Sequence, residues 1–531
     1  MTESVPPLAT LVTEPIGGSA LTRAAIAGTA PRSWFVPIPD SPDGWTARAE
    51  AVAESVRGRD WYEPLAPAIA PRGAAQARLE RVRREGGVLV TTGQQPGLFG
   101  GPMLTWVKAI AAIALADELE ATTGIPTAPL FWAATDDADF AEARWTRVAV
   151  PGGAALLQIA SEPPAGTPMS DVPLGDLSDA LRVFERACGS AAHLDVVEAV
   201  RECYADGATV GSAYVALLRR VLEPLGMAVL DASHRCLRDA ARPILARALA
   251  SGDRVAAALA ERSRELEAAG YSPQVQEVAG LSLVFAYENG LKRRLPLREA
   301  DAIDPATPLG ATVLVRPVLE RALLPTVAYC GGPGEIAYFA QVTAVAQALA
   351  LPEPLVVPRW SATVIEPHVQ RLLDRLGATR EELREPHALE SRLARSALPE
   401  RIAIDLANAR DGVERALAAL EIDDTDGLVP SAAVQGARRA MLHTLSRLER
   451  RYVAAVKRRD TAMMHDVATA AGALYPEGRR QERVLNFLPM LARQGEPLLD
   501  AMRAEARRHA RTLLGPAAAQ RTGQGAPAVA P

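Results

Sequence analysis

Three aspartates within four positions, Asp136, Asp137 and Asp139, follow the apolar run PLFWAA. Carboxylates that close can hold an ammonium group or a Mg²⁺ ion, or share a proton between two of them; a solvated acidic turn is the plainer alternative. Upstream, TTGQQPGLFGGPMLTWVK sets Gly93, Gly97, Gly100, Gly101 and the pair Gln94 and Gln95 ahead of Lys108. Where such a turn opens a helix, its backbone N–H groups suit an anion or a nucleotide. The glycines match neither G-x-x-x-x-G-K-[ST] nor G-x-G-x-x-G, so a tight turn that needs positive φ explains them as well. Lys108 lies about 9 Å along a helix from Pro102, its side chain leaning back toward the helix start. It either neutralises an anion there or snorkels at the helix edge. Of 58 basic residues only Lys108, Lys292 and Lys457 are lysines, and a compact ammonium differs physically from the arginine fork.

A second glycine-rich stretch, TVAYCGGPGEIAYFAQ, carries Gly332, Gly334, Glu335, Tyr338 and Gln341. The last three fall at i, i+3 and i+6 and climb one side of a helix that begins near Pro333. That ridge is either a binding face or an ordinary helix with Tyr338 packed and its neighbours solvated. Strand signals also end at Asp231 in GMAVLDASH and at Arg359 in PLVVPRW, and Arg316 opens RPVLERALLPT. The guanidinium fork matches a carboxylate, which makes Arg316 and Arg359 candidates for anionic substrate groups, with Arg316 as readily structural.

These side chains need a scaffold. GGVLV is a strand signal, MLTWVKAIAAIALADEL has helix-forming composition for nearly five turns, and PLFWAA is a second strand. Strand, glycine turn, helix and strand make one βαβ unit, so the second strand runs parallel to the first and ends at the same edge. Further on, Ile402, Leu406, Ala409, Val413, Ala416 and Leu420 alternate spacings of four and three, as do Met441, Leu445, Leu448, Tyr452 and Ala455. These predict two heptad helices, antiparallel across the turn EIDDTDGLVPS.

With 531 residues, 49% hydrophobic and 23% charged, the chain has material for a large core and more than one domain. Its N-terminus has neither a basic nor an apolar leader region and no stretch is apolar enough to span a bilayer, which predicts a cytoplasmic protein without a membrane partner. Cys188, Cys203, Cys236 and Cys330 lack metal or disulfide spacing and the seven histidines are scattered, so core thiols are expected and a zinc site is not. Residues 430–531 hold 17 Lys+Arg against 8 Asp+Glu. A basic helical arm on nucleic acid is one reading of that excess. Spread basic residues and few aromatics argue against it, and attraction to the acidic core of a partner subunit explains the charge as well.

TGQQPGLFGGP, the block FW-x-A-x-x-D-x-D-F at 131–140, RPVLERALLPT, GGPGEIAYFAQ, VVPRWSATVIE and QERVLNFLP, in this order, resemble the bacillithiol biosynthesis cysteine-adding enzyme family. The resemblance covers about residues 88–500. It implies an α/β fold: a Rossmann-like parallel-sheet core with inserted segments, followed by a C-terminal α-helical coiled coil that pairs two subunits as a homodimer. The corresponding division is an N-terminal segment 1–75, a core 76–377, a coiled coil 378–511 and a disordered tail 512–531. The implied activity joins cysteine to glucosaminyl malate, the last step to bacillithiol. Ala138, Trp145 and Tyr475 stand where the family pattern leads one to expect histidines, and Arg321 where an acid is expected. A relative that binds a thiol or sugar without reacting it is therefore a rival reading.

Amide formation from a carboxylate needs an activated acyl group and a neutral amine. No ATP signature is present, so ATP with Mg²⁺ enters on chemical grounds alone. On this reading Gly93 to Gly101 with Gln94 and Gln95 hold the activated anionic end and Lys108 neutralises it. Asp136, Asp137 or Asp139 holds the cysteine ammonium or takes the amine proton, and Arg316 and Arg359 meet the malate carboxylates. Three expectations follow: Lys108→Met loses activity with the fold intact, Asp139→Asn cuts turnover more than binding, and truncation near residue 378 leaves a folded monomeric core.

Overall fold

The computed structural model describes residues 8–515, so most of the expected tail, 516–531, lies outside the described residues, as do 1–7. The chain forms two compact units, one of residues 8–148, 155–364 and 482–515, the other of 149–154 and 365–481. In the first unit, strand β1 (Val88–Gln94) leads through the glycine turn into helix α1 (Met103–Thr123), then strand β2 (Thr127–Ala133) and the short helix α2 (Phe140–Ala143). Strand β3 (Ala228–Asp231) is followed by helices α3 (Arg235–Ala250) and α4 (Gly252–Ala268). A hairpin of β4 (Leu281–Glu288) and β5 (Leu291–Pro296) comes next, with β6 (Leu309–Ala311) and helix α5 (Arg316–Leu323). Strand β7 (Thr326–Gly331), helix α6 (Pro333–Ala348) and strand β8 (Val356–Pro358) complete the sheet.

Five strands run parallel in the order β8-β7-β1-β2-β3. Register pairs Val88 with Thr127 and Gln94 with Ala133, so β1 and β2 end together, as the βαβ reading requires. Every residue of β2 is buried, the state of a parallel strand covered on both faces. Helix α1 is buried on nearly all sides through Leu119, so its apolar composition marks a central helix rather than an amphipathic surface one. Gly124 stops it in a left-handed cap. The smaller antiparallel sheet β5-β4-β6 belongs to the same unit. Its hairpin turns at Asn289 and Gly290, both at positive φ, the pairing that a two-residue hairpin loop favours.

The glycines after β1 serve a close approach of backbone to backbone. A Cβ on Gly97 would stand 2.7 Å from the Gly101 Cα, and Gly100 and Gly101 both have positive φ. The loop is then tied down from far along the chain. Asn486 Nδ2 donates to the carbonyls of Phe99 (2.8 Å) and Gly101 (3.1 Å), and the Met103 amide donates to Leu485 O (2.7 Å). Tyr204 accepts from the Gly100 amide and donates to Gly97 O. The Met103 amide in the first turn of α1 is thus satisfied by protein.

In the second unit, helices α7 (Glu400–Asp423) and α8 (Ser431–Arg459) cover the two heptad stretches. They are antiparallel: Arg438 meets Glu421 (2.8 Å) and Glu414, while Arg410 meets Glu449 at the other end. Helix α9 (Glu496–Leu513), inside the span expected to be coiled coil, instead packs along α1 in the first unit. Its Arg507 and Arg511 bind Asp117 (2.8 Å) and Glu118 (2.9 Å) of α1. Part of the basic excess is therefore neutralised within the chain. A cut near residue 378 would remove α9, Leu485 and Asn486, all of which contact the core.

Forcing a methyl group into the turn tests its packing. Gly97→Ala is expected to lower stability by about 1–3 kcal/mol in urea unfolding, whereas Gly334→Ala, where an added Cβ meets nothing within 4 Å, should cost nothing measurable.

Candidate functional site

Beside the carboxyl ends of β1 and β2 a cavity of about 790 Å³ opens within the first unit. Its rim and floor include Gly93, Gln94, Gln95, Lys108, Asp136 and Asp137, and from the second glycine turn Gly332, Gly334, Glu335 and Tyr338. Arg316 and Arg359 line it too. Gly97, Gly101 and Asp139 do not. The two glycines are spent on the turn, and Asp139 is exposed, its Oδ1 accepting the Glu142 amide as the cap of α2. Arg321 is buried beside Ser55, and Ala138, Trp145 and Tyr475 are likewise absent from the wall.

Lys108 lies beneath the cavity, 2% exposed, and donates to Gly93 O (2.7 Å), Gln94 Oε1 (3.1 Å) and Glu335 Oε2 (2.6 Å). An ammonium has three N–H bonds, so all are committed. It is neither a snorkelling lysine nor a cation with a hand free for a ligand. Glu335 is held as firmly: its other oxygen accepts from Tyr329, and Oε2 also takes the Gly332 amide (2.7 Å). Burial opposes its charge, but Lys108 holds its pKa below the ordinary carboxylate value. A carboxylate on the N-cap amide of α6 answers the helix dipole itself, which leaves that terminus unsuited to a second anion.

The ridge expected on α6 divides. Tyr338 faces the cavity with Arg316 as hydrogen-bond partner. Gln341 is fully buried and brackets the backbone of Val275, accepting its amide (3.0 Å) and donating to its carbonyl (2.8 Å), and so fixes a segment of the wall. The two arginines divide as well. Arg359 gives both terminal nitrogens to Glu482 (2.7 and 2.9 Å) in a fork that is 1% and 3% exposed. Its two terminal nitrogens are taken, and its buried Nε is left without a hydrogen-bond partner among the described residues. Arg316 gives one nitrogen to buried Glu320 (2.7 Å), which Thr91 also contacts, and lies over the Tyr329 ring at 5.0 Å. It is the better placed of the two to meet an anion.

At the acidic turn, Asp136 receives Lys292, whose Nζ donates to its backbone carbonyl (2.8 Å) and stands 3.3 Å from Oδ2. Asp137 accepts the Ala138 amide (2.7 Å). Burial pushes its carboxyl above the ordinary value, Lys292 works against that, and Asp136 adds to it. Arg238 of α3 lies over the Tyr287 ring and lines the same wall. The sequence marked Lys292 only as one of three lysines and gave no sign of Tyr287 or Arg238. The Asn-Gly pair at 289–290 would have announced their hairpin. Cys330, near the end of β7, is buried, and burial pushes its thiol up to about 12, which disfavours the thiolate. Among the described residues no three His, Cys, Asp or Glu side chains cluster to hold a metal.

The buried fork gives a pH prediction. Burial disfavours charge on Glu482, yet Arg359 holds its pKa below the unfolded value of about 4.3. Its stabilisation is therefore complete above that pH and disappears as pH falls through the folded-state pKa. Glu482→Gln should lose about 3–5 kcal/mol at pH 7 by urea unfolding, and the difference from the parent should shrink near pH 3.

Comparison with known proteins agrees with this architecture. Residues 66–305 and 302–360 match the bacillithiol biosynthesis BshC N-terminal Rossmann-like domain, and 362–512 match the BshC C-terminal coiled-coil domain. A protein of Koribacter versatilis named "Putative cysteine ligase BshC" is 35% identical over 81% of this chain and 83% of its own length. One of Solibacter usitatus with the same name is 33% identical over 81% and 84%. With the parallel sheet, the paired glycine turns and both domain matches in place, the chain belongs to the BshC family of bacillithiol biosynthesis.

Proposed function

We propose that this protein is a cysteine ligase that forms the amide between the carboxyl group of cysteine and the amine of glucosaminyl malate. The observation that carries the reading is chemical: one cavity holds a carboxylate with no side-chain donor, Asp137, and a guanidinium only partly engaged, Arg316. An attacking ammonium must lose a proton before it becomes a nucleophile, and a carboxylate serves as the acceptor at neutral pH only when its pKa is raised. Burial raises that of Asp137. Arg316 then receives a malate carboxylate, and Gln94, Gln95 and Gly334 line the path between. Activation of the cysteine carboxyl calls for a nucleotide, with ATP and Mg²⁺ the chemical expectation; the ion would take its ligands chiefly from phosphates.

The bond made is C–N. The amine nitrogen adds to the activated acyl carbon, the leaving group departs with its electron pair, and the amine proton passes to Asp137. Incubating the purified protein with cysteine and glucosaminyl malate, with and without ATP-Mg²⁺, and weighing products by mass spectrometry tests it. Product only with nucleotide is expected. Product without it would overturn the activation step, and bound cysteine with no product would favour the binder that the alanine at 138 suggests. Asp137→Asn should lower kcat by about 10²–10⁴, while Asp139→Asn, outside the cavity, should turn over within about twofold of the parent.

We further propose that α7 and α8 pair two subunits. Only Leu417 and Val453 are buried on these helices, whereas Leu420, Ile422, Met441 and Leu448 are exposed. Two helices so sparsely covered suit a coiled-coil partner. Light scattering should report a dimer for the parent and a monomer for Leu420→Glu with Met441→Glu; a monomeric parent would end the proposal.

A further inference from the structure

The acidic turn is gripped by a cross-strand pair that the family motifs do not include. Tyr287 of β4 and Lys292 of β5 are register partners in the hairpin, so both side chains leave the same face of the small sheet. Both end on Asp136. Lys292 Nζ reaches its carbonyl and Oδ2, and the Tyr287 hydroxyl stands 3.4 Å from Oδ2 and 3.5 Å from the carbonyl. The pair is itself held in place. Lys292 Nζ sits 4.8 Å from the Phe285 ring centroid, and its amide donates to Gly166 O (2.8 Å). Opposite, Gly310 of β6 leaves room for the Tyr287 ring: a Cβ there would come within 3.0 Å of it.

The consequence is a division of labour between neighbouring carboxylates. Asp136 has its negative charge answered by an ammonium that is 7% exposed, and among the described residues no side chain donates to Asp137. We propose that Lys292, with Tyr287 beside it, is a positioning residue that fixes Asp136 and leaves Asp137 as the carboxylate open to the substrate amine. This rests on the ligase reading for the identity of the amine, but not for the clamp. Besides Lys292 and Tyr287 of the hairpin, the charged groups that face this corner are Asp136 itself, Arg238 of α3 and Glu142 of α2. Among the described residues Lys292 is the one cation bonded to the turn.

Removing it has a signed effect. An ammonium next to a carboxylate pair favours their charged forms, so its loss lets Asp137 hold its proton to higher pH. In Lys292→Met the acid limb of the kcat profile should move up by roughly one pH unit or more, with the loss of rate much larger at pH 6 than at pH 8. Lys292→Arg should restore most of it. Tyr287→Phe, which keeps the ring, should fold normally and raise KM more than it lowers kcat.

A readout without turnover separates this inference from the reaction itself. Protein labelled with ¹³C at aspartate carboxyls, with signals assigned through Asp136→Asn and Asp137→Asn, reports the Asp137 titration directly. A midpoint for Asp137 that rises in Lys292→Met and returns in Lys292→Arg supports the clamp even if no amide is ever formed. The same midpoint in all three proteins would overturn it, whatever the reaction proves to be.

Discussion

The ion pair between Lys108 and Glu335 is the constraint on which the site depends. It joins the second turn of the central helix to the first turn of another helix, beneath the two glycine-rich junctions. A buried pair of this kind adds little net stability over apolar packing, because desolvation offsets much of the attraction. Its contribution is geometric. Lys108 holds the end of β1 through Gly93 and Gln94, and Glu335 holds the start of α6 through Gly332, so both junctions keep one spacing. Beside that fixed point Arg316 lies over the Tyr329 ring, and Tyr329 and Tyr338 each stack on Phe339.

Charge in this protein is arranged in closed pairs with a few deliberate openings. Arg359 with Glu482 and Arg511 with Glu118 are satisfied inside the first unit, and Arg438 with Glu421 inside the second. Against that background the incomplete pairs stand out. Arg316 retains donors beyond its contacts with Glu320 and Tyr338, and among the described residues no side chain donates to Asp137, which faces the cavity. One enclosure thus holds unspent charge of both signs, which suits a polar ligand that carries both.

The frame of the molecule was legible in sequence and much of the site was not. Strand, helix and parallel order announced themselves through PLFWAA and MLTWVKAIAAIALADEL because apolar runs at those lengths have few alternatives. Gly97 and Gly101 looked like ligand-binding glycines, since the sequence does not show that their Cα atoms nearly touch. Lys108 and Arg359 were recognised as unusual, but their partners lie 227 positions away at Glu335 and 123 at Glu482, and spacing alone does not reveal such pairings. Asp139 differs from Asp137 only in what surrounds it. The hairpin with Lys292 went unread, although the Asn-Gly turn was there.

The bonds from Asn486 to Phe99 and Gly101 connect residues 387 and 385 positions apart, on either side of the whole second unit. A ribosome adding 5–20 residues each second reaches Asn486 roughly 20–80 s after the glycine turn has been made. Through that interval two buried carbonyls and the Arg359 fork have no protein partner. The nascent chain must carry an unfinished turn while its helical unit emerges and folds, so a segment made some 385 residues later closes this part of the core.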